Sequence, residues 1–238
     1  MTFTMDQTRK NILSFIGESL TNADTNKREY ALFGDINVLI KDPLPEDLDL
    51  SWVLATVEQI IPKVFAHGID YVYVGQFEEL ISKDVNALYK DGALYVTNEQ
   101  TDEEDMLDDV VHEIAHNTEQ LYGMHIYSDS SLEVEFLGKR KRFYNIMKAE
   151  YGDDVINKVA KYFANGEYDN KFDEWLYKGI GYPVLTTLTM GLFISPYAIT
   201  SLKEYYATGF TEYFLGDREY VKNISPNVYN KITKLLQQ

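Results

Sequence analysis

Residues 103 to 122, EEDMLDDVVHEIAHNTEQLY, repeat their apolar side chains at helical spacing and leave the chain few ways to fold. Wound at ~100° per residue, Met106, Leu107, Val110, Val111, Ile114 and Leu121 share one stripe. Asp105, Asp109, His112, His116 and Glu119 share the opposite side. Such a helix must bury its stripe against another element. Asp102, Glu103, Glu104 and Asp105 crowd its first turn, where the helix dipole favours negative charge.

The segments upstream supply the cover. IDYVYVG, 69 to 75, is a strand by its β-branched and aromatic content, and ALY, KDG and ALYVTN, 87 to 98, predict a hairpin with glycine at the turn. INVLI, ending at Ile40, is a short buried strand. A helix follows Ser51, carrying Val53, Val57, Ile60, Ile61 and Val64, and Pro62 should end or kink it. A further helix is predicted from Asp6 to Leu20. Past Ser128 the chain reads as mostly helical to Met190, broken at glycines and prolines. The fold class expected is α+β, with a small N-terminal sheet and a helical C-terminal half.

The polar side of residues 103 to 122 carries chemistry. His112 and His116 are one turn apart, with their rings on one side, and Glu113 directly follows the first. Two imidazoles so placed can hold one Zn²⁺ at about 2.0–2.1 Å, with the glutamate within reach of an activated water. The competing reading is a solvated polar face. The chain has no cysteine, so a third ligand must come from His, Asp or Glu. The spacing that would place a third histidine six residues on fails, because Glu119 and Tyr122 stand where glycine and histidine are required. A carboxylate from a later helix is expected. Residues 194 to 214, ISPYAITSLKEYYATGFTEYF, place Leu202, Tyr206, Phe210 and Tyr213 on an apolar stripe, with Glu204, Thr208, Thr211 and Glu212 opposite. Glu204 is one candidate. It also completes S-x-x-E with Ser201 and could simply cap its own helix. Glu133, Glu135 and Glu174 are rivals.

HEIAHNTE together with PYAITSLKEYYATGF resembles the anthrax lethal factor-like zinc metallopeptidases, a gluzincin family that includes clostridial Pro-Pro endopeptidases. The resemblance covers about one sixth of the chain. It implies a zincin-like domain, with His112, His116 and Glu204 as ligands of one Zn²⁺ and Glu113 as general base. Tyr197, seven residues before Glu204, would stabilise the oxyanion. It implies supporting roles for Glu119 and for the position four residues after the third ligand. That position is Thr208 here, where the family has glutamate, and Glu212 is the expected substitute. His116 and Glu204 stand 88 positions apart, and most of that span reads as an inserted helical lobe, about 126 to 190, that roofs the cleft. On this reading 1–238 is a single domain, with an N-lobe at 1–123 and a C-lobe at 124–238.

The implied activity is peptide hydrolysis on an extended substrate. Ala93, Leu94, Tyr95 and Val96 are expected to be the edge strand that pairs with it. The alternative is a zinc-binding structural or assembly protein on the same scaffold, without physiological proteolysis. Acidic residues number 38 against 22 basic, a net charge of −16, which repels nucleic acid and anionic membranes as partners. GKRKRFY, 138 to 144, is the one basic patch and is expected to be a solvated helix face. No signal segment or membrane span is read. Synthesis in the cytoplasm is expected, with release by lysis or in a particle left open.

Overall fold

The computed structural model describes residues 30 to 237, so the helix expected at 6 to 20 lies outside the described residues. Five strands form one mixed sheet: β1 (Tyr30–Leu32), β2 (Ile36–Ile40), β3 (Tyr71–Val74), β4 (Ala87–Lys90) and β5 (Ala93–Val96), in the order β1-β2-β3-β5-β4. β2, β3 and β5 run parallel, and β1 and β4 flank them antiparallel. Alternation decides the faces. Val38, Val72, Val74, Leu94 and Val96 are buried, while Tyr71, Tyr73 and Tyr95 point the other way and the last two stack at 5.1 Å.

Two helices cover the apolar face. α1 (Leu50–Ile60) starts where Asp49 accepts from the amides of Ser51 and Trp52, and stops before Pro62. α2 (Glu78–Lys83) is a single short helix after β3. α3 (Glu103–Tyr127) starts where the Asp102 carboxylate accepts from Asp105 N. Its Met106, Leu107, Val110, Val111 and Ile114 are buried as the spacing predicts, each contributing roughly 1.5–3 kcal/mol. Leu121, at the end of the stripe, is exposed, and α3 breaks its regular geometry one residue later, at Tyr122.

The sheet order corrects the expectation for Ala93 to Val96. β5 is not an edge. It is laddered to β3 on one side and to β4 on the other. Asp91 and Gly92, both at positive φ, make a two-residue turn that folds β4 back along the outside of β5. β4 is therefore the edge strand beside α3.

The C-terminal half is helical: α4 (Ser131–Tyr151), α5 (Asp153–Ile156), α6 (Asn170–Glu174), α7 (Tyr182–Thr189), α8 (Leu202–Leu215), α9 (Arg218–Ile224) and α10 (Pro226–Leu235). One continuous cluster of buried side chains runs from Leu32 to Leu235 and joins both halves. The basic patch is also corrected. Lys141 and Arg142 are exposed, but Lys139 and Arg140 are buried, Arg140 completely. They fall on the stripe of Phe136, Phe143 and Met147, which packs inward. Arg140 is flanked by the rings of Phe136 and Phe172. It donates to the carbonyls of Ile199, Thr200, Tyr162 and Asn165.

α8 and α10 meet at Gly209, where a Cβ would stand 2.6 Å from Val228 Cγ1. Alanine improves helix propensity by ~1 kcal/mol, but overpacking costs about 1–3 kcal/mol. Gly209→Ala should lower stability by up to about 2 kcal/mol in urea unfolding. Combined with Val228→Ala, its loss should be smaller than the sum of the two single losses.

Candidate metal centre

α3 brings two imidazoles to one place by its own geometry. The His112 and His116 rings lie 5.0 Å apart, and the donor atoms of His112, Glu113 and His116 all lie within 4.8 Å of one another. That group is close enough to bind a metal ion. The carboxylate of Glu204 arrives from α8. Its Oε2 is 2.9 Å from His112 Nε2 and its Oε1 is 3.6 Å from His116 Nε2. Glu204 therefore touches both imidazoles of α3, each through a different oxygen. The set consists of two imidazoles and a carboxylate.

Helix capping accounts for only part of Glu204. Ser201 Oγ does accept from the Glu204 amide at 3.0 Å, which is one half of the capping box. The Glu204 side chain, however, reaches the histidines of α3. The rivals are engaged elsewhere or exposed. Glu135 accepts from Tyr205 and from the Asn227 amide, Glu174 pairs with Lys178, and Glu133 is exposed.

Electrostatics follow the contacts. Burial pushes the Glu204 carboxyl up, but hydrogen bonds from His112 and His116 outweigh it and hold the group at about 2. Burial lowers the His116 imidazole, while Glu119 and Glu204 raise it further, and the net result is well above the ordinary value. Burial raises Glu113, which therefore holds a proton more readily than an exposed glutamate. One Glu113 oxygen is fixed by the backbone amide of Tyr89 on β4, at 2.5 Å.

The remaining residues fall on different sides. Glu119 is buried and meets His116 Nδ1 at 2.7 Å. Glu212 does not substitute for a supporting glutamate. Its Oε1 accepts from the Asp217 amide at the start of α9. Thr208 is half-buried on α8. The Tyr197 ring is 6.2 Å from that of His112. Burial and the charge of Glu204 keep its hydroxyl protonated far above the usual range. A cleft of about 1100 Å³ lies over the two imidazoles, with β4 on one side and Tyr168 and Asn170 of the 126–190 segment among its lining residues. Tyr127 also lines it and is the residue that sequence patterning missed. It lies beyond the break in α3, where spacing along the helix carries no information.

Among the described residues no helix is long and apolar enough to cross a membrane. Comparison with family models, with curated proteins and with solved structures gives no match to this chain.

Asp109, one turn before Glu113, supplies a pH test. Burial raises its carboxyl to about 7 against the pull of the Gln100 hydrogen bond. The unfolded chain releases this proton near pH 4, so stability falls as pH rises from about 4 to 7 and is flat above. Asp109→Asn should therefore stabilise the protein by roughly 1–2 kcal/mol at pH 8, after allowance for screening. The gain should vanish below pH 4 in urea midpoints; a gain independent of pH would refute the assignment.

Proposed function

We propose that this chain is a zinc metallopeptidase that hydrolyses peptide bonds in an extended substrate. The observation that carries the reading is the meeting of Glu204 with both histidines of HEIAH across 92 and 88 residues of sequence. His112, His116 and Glu204 would hold one Zn²⁺. When bound, the zinc polarises the scissile carbonyl and acidifies the attacking water.

The chain's own groups do the rest. Glu113 takes the proton of the attacking water and passes it to the leaving amine. The Tyr89 amide immobilises one of its oxygens, so the other receives the proton. A raised Glu113 carboxyl suits a group that must accept a proton and then donate it. Tyr197 donates its hydroxyl to the developing oxyanion, and its high pKa keeps that donor present throughout the working pH range. The substrate strand adds to β4, the last strand of the sheet, which lines the cleft beside Glu113.

Elemental analysis of purified protein should give one zinc per chain, and Glu204→Ala should lose it or bind it much more weakly. Zinc retained in full by that variant would remove Glu204 from the ligand set. Glu113→Ala should keep its zinc and lose turnover of a peptide library by about 10²–10⁴-fold. Tyr197→Phe should lower kcat by about 10²-fold with zinc content unchanged. Full turnover in Glu113→Ala would sink the mechanism.

A further inference from the structure

We propose that Tyr127 is a positioning residue for the centre, acting on His116 through Glu119. The Tyr127 hydroxyl donates to Glu119 Oε1, and Glu119 Oε2 meets His116 Nδ1 at 2.7 Å. Glu119 is buried. A buried carboxylate needs its oxygens satisfied, and these two donors satisfy one oxygen each. The contact between Glu119 and His116 is made through Nδ1. That leaves Nε2, the nitrogen facing Glu204, as the one able to hold a metal.

Removing the Tyr127 hydroxyl leaves Glu119 Oε1 without its donor in a buried place. The carboxylate then gains by turning toward water. That turn releases His116. The ring of Tyr127 is itself held, packed edge-on against the buried Tyr206 of α8 at 6.5 Å. The relay thus ties the part of α3 beyond its break to the ligand four residues after His112. Because Tyr127 also lines the cleft, the relay ends where a substrate would lie.

The affinity test rests on the zinc reading; a second readout does not. Zinc affinity would be measured with zinc chloride against a chelating dye, for wild type, Tyr127→Phe, Glu119→Gln and the double variant. Tyr127→Phe should bind zinc about tenfold more weakly. The double variant should be no weaker than Glu119→Gln alone, because the tyrosine acts only through the glutamate. Unchanged affinity in Tyr127→Phe, or losses that multiply in the double variant, would overturn the relay. The second readout is the His116 Nδ1 proton in metal-free protein, followed by NMR. It should be protected from exchange in wild type and lose that protection in Tyr127→Phe. Thermal unfolding of the metal-free variants separates loss of positioning from loss of fold. Absence of zinc binding in wild type would strike the metallopeptidase reading alone. An unprotected wild-type Nδ1 proton would strike the relay alone.

Discussion

The guanidinium of Arg140 has no carboxylate beside it among the described residues, although it is completely buried. It is satisfied by backbone carbonyls, and two of these belong to Ile199 and Thr200. Burial of an unpaired charge costs several kcal/mol unless each donor finds an acceptor. The planar fork and the two flanking rings meet that condition. The consequence is local and large. The short turn that carries Tyr197 ends at those carbonyls, and Ser201 caps α8 immediately after them. Holding the carbonyls holds the start of α8, and Glu204 lies within its first turn. Arg140 thus ties the helical lobe to the centre, beside the hydrogen bond from Tyr205 to Glu135.

On the other side the centre depends on how α3 is packed. Its apolar stripe faces the sheet and α1. Its polar side is partly covered: Asn117, Thr118 and Glu119 are buried and Asn117 donates to the carbonyls of Phe65 and His67, while His112 and His116 are half-buried at the cleft. A polar face so covered is not a solvated one. Burial raises both Glu113 and Glu204, and only at Glu204 do hydrogen bonds from the two histidines outweigh it.

Where local pattern governs, sequence and structure agree. The α3 stripe, the Asp91-Gly92 hairpin and the stop before Pro62 all follow from period, turn chemistry and backbone restriction. Where assembly governs, reading failed. The β5 sequence, ALYV, looks the same at an edge as in the middle of a sheet, since strand order is set by pairing across the sheet. GKRKRFY looks solvated by composition, yet Arg140 sits one turn after Phe136 and nearly one before Phe143, and that spacing could have shown it facing inward. β1 and α2 are too short for any period to be seen in them.

The sequence by itself determined that two imidazoles and a glutamate share one turn of one helix, because residues four apart on a helix must face the same way. It also determined that no thiolate could join them, because the chain has no cysteine. Only the tertiary structure decided that Glu204 turns from its own helix cap to the histidines and that β4 forms the rim. It alone decided that Tyr127 closes on Glu119. Each of these is a contact between parts of the chain whose separation in sequence, or whose break in helical geometry, leaves no periodic trace. Such contacts are fixed by how the elements pack, through Arg140 and the buried faces of α3 and α8.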